Sequence, residues 1–152
     1  MINLGSYSGK NCPDVRFCPA LMDRLLEGIA LLLVLATWAV IGWLSIQKEE
    51  SLLSAVWVAG GCSLFSFLLL GGSAYLPVRF INFPVRVTER NVAVQYLLAV
   101  RFVRVLNIVI SLVMLALVLV QYDAWGRLLF FVSFVLMGLA IIGYYVLAFK
   151  YK

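Results

Sequence analysis

The stretch 28–46, GIALLLVLATWAVIGWLSI, is nineteen residues without a single charge. At 1.5 Å per residue a helix of that length extends about 28 Å, close to the roughly 30 Å hydrocarbon core of a bilayer. It predicts a transmembrane helix, and the fold follows from how often the pattern recurs. With its flank, the first span is expected over 25–46. The polar turn 47–51 leads into a second charge-free run over 52–76, which Pro77 ends because its ring blocks further helical hydrogen bonding. A third span is expected over 98–121, and a fourth over 128–149 after the short turn 121–127. The expected fold class is an all-α membrane protein, a bundle of four transmembrane helices.

Composition points the same way. Of 152 residues, 64% are hydrophobic and 12% charged, and the mean hydropathy is +1.06. Soluble domains carry about 25% charged and about 45–50% apolar residues. A soluble fold of this length has too little interior to hide so much apolar surface. Residues 1–19, mixed and polar with Gly5, Gly9, Pro13 and Pro19, read as a flexible tail rather than a cleaved signal peptide. Residues 20–152 read as one transmembrane domain.

Between the second and third spans, residues 77–88 (PVRFINFPVRVT) alternate apolar and polar and hold Pro84. They predict an extended connector at the membrane surface. Thr88 is the expected N-cap of the third helix, with Glu89 in its first turn suiting the helix dipole. That helix is expected to begin as an amphipathic segment outside the lipid.

The basic residues set an orientation. Lys10, Arg16, Arg24, Arg79, Arg86, Arg90, Arg101, Arg104, Lys150 and Lys152 fall on one side of the four spans, and only Lys48 and Arg127 on the other. Such a bias over short loops predicts both termini and the connector on the cytoplasmic side. Trp43, Tyr122 and Trp125 then mark the outer interface, and Tyr75, Tyr144, Tyr145 and Tyr151 the inner one. In a membrane protein the net charge of +5 is a topology signal, so anionic headgroups are the expected partner and nucleic acid is not.

Glu27 is the most informative polar residue, one turn into the first span. A carboxylate near lipid is costly unless paired or reached by water. Asp23 and Arg24 are its local neighbours, and Arg101 and Arg104 lie at a similar depth on the third helix. The expected arrangement is an interhelical ion pair of Glu27 with Arg101 or Arg104; an ion-coupling site and snorkelling to water are the alternatives. Arg90, Leu97, Arg101 and Arg104 form a stripe that Asn107 and Ser111 continue into the membrane. It reads as headgroup contacts followed by interhelical hydrogen bonds. Small residues at Ser51, Ala55, Ala59 and Ser63, with Gly60, Gly61, Gly71 and Gly72, and at Gly138, Ala140 and Gly143, are expected to let helices approach closely. In the connector, Arg79, Phe80, Phe83, Arg86 and Arg90 are the candidate lipid or partner contacts, the aromatic rings dipping into the headgroup region while the arginines meet phosphates.

No catalytic set, metal box or phosphate loop is apparent, and the chain has no histidine. No catalytic residue, cofactor or metal site is therefore expected. Cys12, Cys18 and Cys62 do not make a disulfide framework. The Cys12-Pro13 and Cys18-Pro19 pairs lack the further ligands a tetrahedral zinc site needs. Haem ligation through Cys-Pro is conceivable, but incidental thiols are the simpler reading.

The connector also resembles a known family. Phe80-Ile81-Asn82-Phe83-Pro84-Val85, Thr88-Glu89-Arg90-Asn91, Gln95-Tyr96, Leu98-Ala99-Val100-Arg101 and Arg104 are similar to the F-N-Y/F-P-V, T-E-x-N and Q-Y-x-L-A-x-R pattern of a bacterial membrane-protein domain of unknown function. That domain also forms the N-terminal part of Sdp-type toxin-immunity proteins. Asp23-Arg24-Leu25-Leu26-Glu27 resembles its first-helix start, and the likeness covers roughly residues 20–120. The family's outer I-P-x-H-F-x-x-x-G loop is replaced here by the terse turn 47–51. The resemblance implies a bacterial cytoplasmic membrane and an inward N-terminus. The expected function is that of a non-enzymatic membrane protein working through partner or lipid contacts, accessory or immunity-like, with a membrane-protein partner or a second copy of itself. The alternative is a small-solute transporter or channel subunit acting as an oligomer.

Overall fold

The computed structural model describes residues 19–46, 50–88, 90–121 and 123–152. The expected tail up to residue 18, with its Cys-Pro pairs, lies outside the described residues, as do residues 47–49, Glu89 and Tyr122. Four helices carry the fold: α1 (Leu21–Ile46), α2 (Glu50–Ser73), α3 (Val92–Val120) and α4 (Ala124–Lys150), with a short 3₁₀ turn at Val78–Phe80. Among the described residues there is no strand. All four helices are long and apolar enough to cross a membrane.

α3 is the central element and packs against each of the other three helices. α1, α2 and α3 enclose a common interior, whereas α4 rests on α3. The burial of α1 follows from spacing: Asp23, Ala30, Val34, Thr37 and Ile41 are buried, a three-and-four-residue rhythm that keeps one stripe facing inward. At one end of the bundle Ile41, Val56 and Val118 form an apolar cluster, and nearby Trp38 meets Trp57 edge-on at 5.9 Å.

The helix ends depart from expectation for local reasons. α2 stops at Ser73, not at residue 76. Leu76 N–H and Tyr75 N–H turn back to Ser73 O and Gly72 O at 3.2 and 3.1 Å, after Gly71-Gly72-Ser73 has weakened the helix. α4 begins at Ala124, so the turn after α3 is shorter than 121–127. There Gly126 is required by a close approach: a Cβ would stand 2.3 Å from backbone atoms of Leu119 and Val120.

The connector is extended but is not a loose surface strap. Phe83, Val85 and Val87 are buried and Asn82, Arg86 and Thr88 exposed, the alternation of an extended chain. Val78, Phe83 and Val87 join Ala74, Val92, Tyr96, Ala99 and Val100 in one core cluster. Phe83, 6% exposed, therefore departs from its expected contact with lipid or a partner: the alternation points it inward. Tyr96 O–H, donating to Leu76 O at 3.0 Å, ties α3 to the connector. Thr88 is not the N-cap of α3; Asn91 is. Instead Thr88 N–H donates to Asn91 Oδ1 at 2.7 Å, and Asn91 Nδ2 donates to Arg86 O at 3.1 Å. One asparagine thus folds the chain into the helix.

α3 is continuous for 29 residues, about 43 Å at the usual rise. That exceeds the roughly 30 Å of a hydrocarbon core, so a helix of this length must tilt or extend beyond it. Its first turns bury Val92, Gln95, Tyr96, Ala99 and Val100.

Candidate functional site

At the end of the bundle where α1 begins and α2 ends, three side chains, two from α1 and one from the turn after α2, converge on Arg104. The guanidinium is 2% exposed. Its Nε donates to Glu27 Oε1 at 2.9 Å, and Nη2 lies 2.9 Å from the same oxygen. Nη1 faces Asp23 Oδ1 at 3.3 Å. One arginine of α3 therefore holds two carboxylates of α1. Asp23 and Glu27 are four residues apart, which stacks them on one face of that helix.

Asp23 does a second job. Its Oδ2 accepts a hydrogen bond from Ala20 N–H at 2.9 Å, half of a capping box at the start of α1. Arg101, with its side chain 45% exposed, stands 3.7 Å from Asp23 Oδ1 and so joins the cluster through Asp23. Tyr75, from the turn after α2, donates its hydroxyl across both Glu27 oxygens at 2.8 and 3.0 Å. Its ring faces the Arg104 guanidinium at 5.5 Å, adding a cation–π contact.

The cluster balances two acids against two arginines. Glu27 is satisfied by Arg104 and Tyr75, and Asp23 by Arg104 and the α1 N-terminus. A ligand reaching either carboxylate has to compete with a buried arginine, which makes this arrangement a clamp between α1, α2 and α3 rather than an open coordination site. Among the described residues no group of three or more His, Cys, Asp or Glu is placed to hold a metal ion.

The sequence singled out Glu27, Arg101 and Arg104. The structure brings Glu27 to Arg104, and Arg101 to Asp23. Sequence reasoning treated Asp23 only as a neighbour and Tyr75 only as an interface marker. Acids at positions 23 and 27 set against arginines at 101 and 104 were a signal available for Asp23. Nothing local marked Tyr75.

The remaining candidates scatter. Phe80, Arg86 and Arg90 are exposed on the connector. Deeper in the bundle Asn107 Nδ2 donates to Phe67 O at 3.4 Å, and Asn107, Ser111 and Ser63 are buried. Gln95 Nε2 donates to Ala148 O and Tyr151 O, both at 3.0 Å, holding the last turn of α4. Phe102 stacks on Tyr144 at 4.3 Å along the same contact. Of the small residues, Gly60 is pressed against Ile41 and Trp38, while Gly138 and Gly143 have nothing within reach of a Cβ. The α4 glycines therefore do not serve close packing within this chain, contrary to expectation, because α4 meets α3 through other faces.

The chain matches no family model, no curated protein and no solved structure.

Proposed function

We propose that the chain is a non-enzymatic, multi-pass protein of a bacterial cytoplasmic membrane, with both termini inside, that works through contacts of its basic inner face. The partner is an anionic lipid headgroup layer or an acidic segment of another membrane protein, and the role is accessory or immunity-like. The observation that carries this reading is how the charges divide at one end of the bundle. Asp23 and Glu27 are consumed by the clamp, while Arg24, Arg86, Arg90, Lys150 and Lys152 are exposed there. The acids meet Arg104 and Arg101 and leave the other cations outside. A basic residue near an anionic leaflet contributes about 1 kcal/mol, so such a face holds phosphates without a pocket. The family resemblance around residues 80–104 supports the same location.

The test is the variant carrying Arg79→Gln, Arg86→Gln and Arg90→Gln, with anionic lipid retained after extraction from mixed phosphatidylglycerol–phosphatidylethanolamine membranes read by native mass spectrometry. Three lost contacts weaken retention on the order of a hundredfold, with the thermal midpoint unchanged. Full retention would reduce the connector to a topology signal.

The second reading, a transporter or channel subunit acting as an oligomer, draws on the buried Ser63, Asn107 and Ser111 between the helices.

A further inference from the structure

Two buried polar atoms between α2 and α3 have no hydrogen-bond partner among the described residues: Ser63 Oγ and Asn107 Oδ1. Ser63 is 1% and Asn107 2% exposed. Neither belongs to the charge clamp. Such orphans are rare in native interiors because their desolvation goes unrepaid, and lipid offers no hydrogen bonds as relief.

Helix register puts them one turn apart along the α2–α3 contact. Asn107 meets the Phe67 carbonyl, and Val56 clusters with Val118. Eleven residues separate Phe67 from Val56, and eleven separate Asn107 from Val118, so the antiparallel register holds between the two contacts. One turn along from Asn107 and Phe67, Ser63 falls at the level of Ser111, itself 2% exposed. α1 runs parallel to α3: Glu27 to Ile41 and Arg104 to Val118 are both steps of fourteen positions. That places Val34, 3% exposed, at the same level. Two walls are polar and the third is apolar.

The donor and acceptor count names the ligand. One Asn107 amide hydrogen goes to Phe67 O, and the orphaned Oδ1, a carbonyl oxygen, can only accept. Its ligand has to donate. A metal cation is disfavoured, because the Arg104 guanidinium lies on the same face of α3 one turn away and holds both nearby carboxylates. An anion has no hydrogen to give the orphaned Asn107 Oδ1 and is repelled by it. We propose that Ser63 and Asn107, with Ser111 beside them, form a buried water-binding site in the middle of the α1–α2–α3 interior, the water donating one hydrogen to Asn107 Oδ1 and the other to Ser63 Oγ. The water staples α2 to α3. It sits between the Arg104 clamp on one side and the Ile41–Val56–Val118 cluster on the other, so it is the hydrated step any solute crossing this interior would meet.

The test is a double-mutant cycle on the full chain, combining Ser63→Ala with Asn107→Leu and reading the unfolding equilibrium in detergent. Ser63→Ala alone shifts that equilibrium about threefold to tenfold toward the unfolded chain, and the shift disappears once Asn107 is replaced. A neutral or stabilising Ser63→Ala would mean a dry orphan and overturn the site. An equal loss in both backgrounds would overturn it too, since the hydroxyl would then act elsewhere. If Asn107→Leu does not fold, water-edited solid-state NMR of the parent chain in bilayers decides. Polarisation passes from water to the Ser63 and Asn107 side chains before it reaches Val34 or Ile41, and its failure to do so refutes the proposal.

Discussion

An arginine that is 2% exposed in a chain built for lipid needs its charge met on several sides, and Arg104 meets Asp23, Glu27 and the Tyr75 ring together. Removing it leaves two carboxylates facing each other, one of them fully buried. Breaking a buried pair from one side costs about 3–5 kcal/mol, so Arg104→Leu is expected in that range. Glu27→Gln should cost less, about 1–2 kcal/mol, because its side chain is 28% exposed and Asp23 still engages the arginine. Asp23→Asn should fall between, losing the ion pair while an amide oxygen can still cap α1. Reversible unfolding in mixed detergent ranks the three. If Glu27→Gln proves as costly as Arg104→Leu, the clamp is not organised around the arginine. Glu27 and the arginines were legible in the sequence because charges inside apolar runs demand partners. Asp23 was less so: its spacing from Glu27 was a signal, but it precedes the charge-free stretch and looks like a residue at the water boundary. Only the packing of α3 over the start of α1 makes it the more buried acid.

At the scale of the helices, glycine positions separate contacts that matter from those that do not. A methyl group at Gly126 would collide with backbone of Leu119 and Val120 at 2.3 Å, whereas at Gly60 it meets the movable tip of Ile41 at 2.6 Å. At Gly138 and Gly143 it meets nothing. Gly126→Ala is therefore expected to destabilise by about 3 kcal/mol or more and Gly60→Ala by about 1 kcal/mol. Gly138→Ala and Gly143→Ala should be neutral or slightly stabilising. Thermal unfolding of the purified variants checks the order; a large loss at Gly138 or Gly143 would mean that this face of α4 is covered by a second molecule. The existence of all four helices was legible from charge-free length alone. Their ends were less so, because Gly71-Gly72 and the α3–α4 crossing act through geometry that hydropathy does not record. The connector's alternation was legible, but its inward face was not. Phe83 reads equally well toward headgroups or toward a core until Ala74, Tyr96 and Val100 are known to stand beneath it.

The whole molecule has one polar axis. The starts of α1 and α3 and the ends of α2 and α4 meet at a single end, tied by Arg104 to Glu27, Tyr75 to Glu27 and Gln95 to the last turn of α4. Whichever face of the membrane that end occupies, both described ends of the chain and the connector occupy it together, so orientation is a single choice. The exposed cations at this end include Arg86, Arg90, Lys150 and Lys152, against Arg127 at the other. Loops rich in Lys and Arg are retained in the cytoplasm during insertion, so the proposed orientation puts this end on the inner face. Reporter fusions after residues 48, 90, 123 and 152 should read outside, inside, outside, inside. Because the ends are locked together, a reporter outside at 152 with one inside at 48 would mean that the chain is inverted as a unit, and a lipid-binding role for the basic face would have to move to the outer leaflet. A mixed pattern, with 90 and 152 on opposite sides, would contradict the Gln95 contact with α4 and so the packing itself. Adding Lys–Lys after Ile46 weakens the bias without touching the clamp. It should produce a fraction of inverted molecules while leaving their stability unchanged, which separates the signal that orients the bundle from the contacts that hold it together.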